Sequence, residues 1–409
     1  MKIEILLSLY RSRLPKKNVV IITDIGREDD DEVALLVAAG LAKVGLLNIK
    51  GIIANYHPTT MRARLAKGVL ESMGFNDVPV AIGESIDEHY LIQAHEFDAD
   101  YVSSDSPFTD GQSLLKSVCE SAEDHSVTLL IISGLTDASL FIQNNMELAK
   151  KKIATIVTMS GVISNGENEI MCDEPGYVLP DKSYNNRLDM PSASRLYYQA
   201  QTEKIPLLVV SRFCANPCAI TPNFYTRLAQ CNSPIGRRLY DKQCTTLIRL
   251  WQRTFLNADD PERDGLPLSC NSSWFLETFT DNLEEYESLN AESNIWAYIN
   301  KLHTHDPVAL IAGIFPHLFT PSFKTIHGCE HQVIGVSKTL TGISNPDQIR
   351  DLMINLAEFG LTPISIEQLN YAYPVQRVFS EESNRNTLFV SQPTPKEKSI
   401  SEGCHCTIS

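Results

Sequence analysis

A stretch of apolar residues long enough to cross a bilayer is absent from this chain, which excludes a helical membrane span. The apolar cluster nearest the N-terminus, Ile5 to Leu9, is too short for the core of a secretion signal and runs into Arg11, Arg13, Lys16 and Lys17. Basic charge is also scarce. Thirty-five Lys and Arg stand against 50 Asp and Glu, a formal charge of −15 that offers no basic surface to nucleic acid. The ten cysteines contain no CxxC pair and no regular spacing, so they read as reduced thiols in a cytosolic compartment rather than as a disulfide framework. His327, Cys329 and His331 lack a second cluster at ligand spacing and read as loop residues, not zinc ligands. No internal repeat is present, and with 43% apolar and 21% charged residues the chain can bury a substantial core.

What is present begins with Val19 to Ala39, VVIITDIGREDDDEVALLVAA. Val19, Val20, Ile21 and Ile22 predict a strand buried on both faces. Asp24 ends it, Gly26 permits a sharp turn, and Glu32 to Ala39 predicts a helix with Asp30 and Asp31 in its cap and first turn. Carboxylates gathered at the end of a buried strand repel one another unless a cation or solvent intervenes; the same acids would also serve as ordinary helix caps. Further strands are expected at 48–54, 78–82, 127–132, 153–159 and 205–211, with helices at 60–73, 112–122, 140–152 and 192–202 between them. That alternation predicts an α/β fold, a central, mainly parallel sheet flanked by helices. Residues 84–111 and 165–186 read as polar loops, 222–299 as a helical region holding all three tryptophans, 305–315 as an apolar helix, 325–338 as a short strand pair and 346–359 as a helix. The expected organisation is an N-terminal lead (1–17), one domain (18–378) and a polar tail (379–409).

In such sheets ligands sit at the carboxyl ends of the strands. Asp24, the run Ser133 to Asp137, the Asn165 to Asn168 turn, and His305 with Asp306 before Pro307 are therefore the candidate site segments. Their donors are oxygen with no sulfur, a set suited to calcium or magnesium rather than zinc.

In order, these residues resemble the inosine/uridine-preferring nucleoside hydrolase family. Asp24, Gly26, Asp30, Asp31, Ala34 and Leu35 fit its DxDxGxDDxxAL hallmark; SGLTDASL (Ser133 to Leu140) is similar to GPLTNLAL, and THDPVAL (Thr304 to Leu310) to a late HDPLAV. Met159 to Gly161, Asn168, and Asn185 to Asp189 follow as MGG, GN and FNxxxD. The chain departs from the pattern at Ile22 in place of the first Asp, at two extra residues after Gly26, at Pro58 for a sugar-binding Asn (with Asn55 nearby), and at Ser183 for a Glu that Asp181 could replace.

The resemblance implies a calcium-dependent hydrolase of the nucleoside N-glycosidic bond. Asp24, Asp31, Asp306 and the carbonyl of Thr136 would hold Ca2+. Asp24 would also take a proton from the attacking water, Asp30, Asn168 and Asn185 would grip sugar hydroxyls, and His305 would protonate the departing base. Trp274, Phe275 and Trp296 are left to the core, the commoner fate of helical aromatics. The rival expectation is a nucleoside- or sugar-binding protein that keeps the metal without turnover. A haloacid dehalogenase-type phosphohydrolase also opens with a strand and DxD, but Ile22 stands where its nucleophile is needed. The expected partner is a small-molecule nucleoside, with no nucleic acid and a homo-oligomer as one option. Cys406 to Ser409 fits a C-a-a-X prenylation pattern, with Cys404 available for a second acyl chain, so a lipid anchor at Cys406 is the membrane-associated alternative to a cytoplasmic enzyme with a plain polar tail.

Overall fold

The computed structural model describes residues 2–12, 14–87, 92–104, 108–263, 266–281 and 289–372; the expected tail with Cys406 lies outside the described residues. Among the described residues nine strands form one sheet: β1 Lys17–Thr23, β2 Leu47–Ala54, β3 Val80–Ile82, β4 Thr109–Asp110, β5 Val127–Ile131, β6 Ile153–Met159, β7 Leu207–Val210, β8 Ser322–Ile326 and β9 Cys329–Ile334. Their order is β4-β3-β2-β1-β5-β6-β7-β9-β8, parallel throughout except for the β8–β9 hairpin at one edge. β1 therefore lies inside the sheet, paired with β2 and β5. Its alternation serves two cores: Val19 and Ile21 pack with the helices Asp30–Lys43, His305–Ile314 and Pro346–Leu361, while Val20 and Ile22 pack with Gly111–Ser121, Thr136–Asn144 and Met190–Thr202. This is the α/β architecture expected, with helices on both faces.

The helix Asp30–Lys43 is buried all round from Asp30 to Leu41, so its apolar residues have no preferred side. It lies flat against Pro346–Leu361 through reciprocal glycines. A Cβ on Gly40 would stand 2.2 Å from the Leu356 carbonyl oxygen, and one on Gly360 would stand 2.2 Å from that of Leu36. Only hydrogen at both positions permits this approach, and it fixes where the acidic end of the helix points.

Three local expectations change. The lead carries a helix, Ile3–Arg11, because Leu6, Leu7 and Leu9 find buried positions in the larger core. The polar segment 84–111 contributes β4 to the sheet edge, because Thr109 and Asp110 extend alongside Ala81 and Ile82. The single helix expected at 140–152 is two, Thr136–Asn144 and Met146–Lys152, since Asn145 leaves helical geometry at φ −134°. Among the described residues no helix is long and apolar enough to cross a membrane. Cys214 and Cys218 are buried free thiols, and His327 to His331 form the β8–β9 turn and strand.

Candidate active site

β1 delivers Asp24 to the carboxyl edge of the sheet, and Gly26, at φ +106°, turns the chain there. The buried Arg62 holds this turn by its backbone. Its guanidinium donates to the carbonyls of Asp24 (2.8 Å), Ile25 (2.9 Å), Tyr56 (3.2 Å) and His57 (3.0 Å), and pairs with Glu96 at 3.3 Å. Asp30 and Asp31 then open their helix, and Asp306 arrives in the first turn of His305–Ile314. Asp30, Asp31 and Asp306 each bring an oxygen within 4.8 Å of the others, the one such cluster among the described residues. The Thr23 hydroxyl donates to Asp31, and the His305 backbone N–H donates to Asp30 at 3.1 Å.

Burial and mutual repulsion act on all four acids. Burial lifts Asp24 to about 6 against the pull of Arg62 and Arg27; burial, then Glu28, lifts Asp30 to about 7. Asp31 and Asp306 rise well above the usual range, first by burial and then through the neighbouring aspartates, Asp24 among them. Four carboxylates with only oxygen to offer, each pushed towards protonation by burial and by a neighbouring acid, fit a hard divalent cation, whose charge would cancel the repulsion.

Thr136 starts the helix after β5, the strand beside β1, and its hydroxyl donates to Asp189 at 2.8 Å. His305 lies against Asp30, with Nδ1 3.8 Å from Oδ2. Its Nε2 lies 3.1 Å from the Asn216 oxygen, a contact the Nε2–H tautomer makes as donor, while its ring stacks on His303 at 6.1 Å. Burial, then His303 and Arg212, lowers it to about 4.

The two asparagines expected at the sugar already hold other hydrogen-bond partners. Asn185 is half-buried in the short helix Tyr184–Leu188 and donates to the Met159 carbonyl at 2.8 Å. Asn168 sits on an exposed turn at φ +71°, its oxygen engaged by the hydroxyls of Ser337 and Thr339. Asp181 is occupied locally, accepting from Ser183 N–H and Asn186.

Several wall residues escaped the sequence reading. Arg27, within the segment lengthened by the two extra residues, stacks 5.2 Å from the Tyr56 ring centre and 4.9 Å from that of Tyr184, and donates to the Tyr56 hydroxyl at 2.6 Å. That lengthening was its only signal. Arg62 had none, because it reads as an ordinary solvated position in a helix. A cavity of about 1310 Å³ opens above Asp30, walled by His305, Asn216, Arg212, Leu250 and Trp274. Trp274 thus faces the cavity, whereas Phe275 is core, as expected.

The effector protein XopQ, solved as a complex with adenosine diphosphate ribose, is similar to this chain at 27% identity and a TM-score of 0.75, over 88% of this chain and 98% of that one. The effector protein XOO4466 is similar at 26% identity and a TM-score of 0.72, over 88% and 98%. A purine-preferring ribonucleoside hydrolase from Gardnerella vaginalis shares the fold at 14% identity and a TM-score of 0.54, over 84% and 99%. No curated protein matches the chain. The sequence profile of the inosine-uridine preferring nucleoside hydrolases matches residues 19–342, which include Asp24, Asp30, Asp31 and Asp306, and the chain belongs to that family.

Proposed function

We propose that the chain hydrolyses the N-glycosidic bond of a nucleoside or nucleoside-bearing ligand, with calcium held by Asp24, Asp31, Asp306 and the Thr136 carbonyl. The observation that carries this reading is the convergence of buried, mutually repelling carboxylates, of which Asp30 lines the cavity. A hard cation there supplies the Lewis acidity that makes water a competent nucleophile near neutral pH. Asp24 accepts the proton that the attacking water loses, and the water oxygen joins the anomeric carbon as the bond to the base breaks. The surrounding carboxylates stabilise the positive charge that develops on the sugar. Asp30 and Asn185 orient sugar hydroxyls; Asn168 does so only if it gives up Ser337 and Thr339. His305 offers Nε2–H to the departing base. With its pKa near 4, roughly one ring in a thousand is charged at pH 7. Full proton donation by His305 therefore strengthens as the pH falls. The test is chromatographic detection of base release from a panel of purine and pyrimidine nucleosides, with calcium and with chelator. Release that needs calcium supports the reading; calcium bound without release from any member refutes turnover on nucleosides.

A second reading has its own support. The cavity exceeds the roughly 300–1,000 Å³ usual for small-molecule sites, and Arg27, Arg212, Arg249 and Lys338 line it in an otherwise acidic chain. With a similar protein solved in complex with adenosine diphosphate ribose, this favours a ligand that carries phosphates beyond the nucleoside. The protein would then bind it, with slow turnover or none. Calorimetry with ADP-ribose against ribose and adenosine separates the two, since a phosphate-reading cavity binds ADP-ribose much the tightest.

A further inference from the structure

Glu28 to Glu32 is a run of five carboxylates at one helix end, and a cation site can use only some of them. The fold divides the run between two neighbours. Asp30 and Asp31 turn towards Asp306. Asp29 and Glu32, three residues apart and so on one face of the helix, turn towards the long helix Pro234–Arg253. There Lys242 Nζ lies 2.9 Å from Asp29 and 3.7 Å from Glu32 and donates to the Glu28 carbonyl at 3.0 Å. One turn earlier, Arg238 pairs with Glu32 and donates to the carbonyls of Asp98 (3.1 Å) and Glu96 (2.5 Å). The Tyr101 hydroxyl donates to the other Glu32 oxygen at 3.2 Å. All four charged side chains are buried, at 3% to 8% exposure for the two cations.

We propose that Lys242 and Arg238 are positioning residues for the cation site: by holding Asp29 and Glu32 in ion pairs, they leave Asp31 as the carboxylate this helix presents to the cation, with Asp30 beside it for the sugar. The inference rests on the cation reading of the site. A buried acid without a partner swings towards a neighbouring positive charge, and beside this site the cation is one, since Arg238 is already paired with Glu32. With Lys242 removed, Asp29 becomes a competitor: it draws the ion off the Asp31–Asp306 geometry or crowds the site with an extra negative charge. The long helix also walls the cavity through Thr246, Leu247 and Leu250, so one element both frames the ligand and sorts the acids.

The test is calcium titration of the full chain by calorimetry, with calcium alone as the probe, and thermal unfolding followed on each variant. Lys242→Met is expected to weaken calcium about tenfold or more, the usual effect of losing a partner behind a metal ligand. Lys242→Met with Asp29→Asn is expected to return to within about threefold of wild type, because the competitor has gone together with its partner. Lys242→Arg keeps the ion pair and is expected to bind as wild type. A purely structural role for Lys242 predicts no recovery in the double variant, and a double variant as weak as the single one overturns the proposal. If Lys242→Met alone fails to fold, the double variant and Lys242→Arg decide the question by the same criteria. Wild-type protein that takes up no calcium refutes the cation reading beneath it; wild-type protein that binds calcium, with Lys242→Met binding equally well, refutes this inference alone.

Discussion

Calcium affinity should climb steeply with pH between about 5.5 and 8, and the structure sets the size of the climb. Burial and crowding lift Asp24 from an ordinary 3.8 to about 6 and Asp30 to about 7. Each unit is worth roughly 1.4 kcal/mol, so these shifts represent about 3 and about 4 kcal/mol, the second including repulsion from Asp24. The sign follows from linkage. A carboxylate whose folded pKa lies above its unfolded value adds no penalty below about pH 4; the penalty grows as pH rises through the folded pKa and is complete above about pH 7. The cation-free protein should therefore lose stability across that window. At pH 5.5, a cation bound by Asp24 beside an ionised Asp30 must displace protons held about 0.5 and 1.5 units tighter than the solution, a loss of about a hundredfold in affinity relative to pH 8. Asp31 and Asp306, shifted further, add to the loss.

Calorimetric titration at pH 5.5, 6.5 and 8 measures the affinity directly, and thermal unfolding with and without calcium should show the larger stabilisation at pH 8. Asp306→Ala is the control and should abolish both responses. Equal affinity at pH 5.5 and 8 would refute the reasoning, because it would mean that the cation binds away from the four shifted acids.

Asp24→Asn should lower kcat for base release by at least about a thousandfold, near 4 kcal/mol of barrier, when measured at saturating calcium. Arg62→Met should destabilise the protein by about 3–5 kcal/mol in urea titration, because Glu96 and four carbonyls lose one buried donor; a cost below about 1 kcal/mol would show that water replaces it. His305→Ala should slow purine release more than nitrophenyl riboside cleavage, and in the wild type that purine advantage should widen as pH falls from 7 towards 5; equal losses on both substrates would make His305 structural.

Much of the fold was legible because β-branched runs admit few alternatives. β6 falls at 153–159 as read, and β2 and β5 lie within a residue of expectation. The misreadings occur where tertiary contact overrides local composition. Thr109 and Asp110 look like loop and become strand only because Ala81 and Ile82 present an open edge. Leu6, Leu7 and Leu9 look like a stray apolar patch until the larger core covers them.

The site was legible in a narrower sense, and the acidic run shows why. Adjacent aspartates at a strand end announce that negative charge is concentrated, and the ordered motifs say which family concentrates it that way. Neither says which acid faces which neighbour. Spacing alone puts Asp29 with Glu32, but both a cation and a basic helix would satisfy that pair. The decision rests with Arg238, which lies 206 residues further along the chain in a helix whose sequence reads as an ordinary amphipathic surface. Arg62 is hidden in the same way: its partners are mostly carbonyls, and a carbonyl leaves no mark in a sequence. Side chains that bear the chemistry carry a signature in residue type, whereas side chains that aim them act through backbone and burial. One of the chain's departures from the family pattern belongs to the second kind: the lengthened turn after Gly26 carries Arg27 between Tyr56 and Tyr184. Any change in what this site accepts should therefore be sought first in that turn, before the aspartates that the family shares.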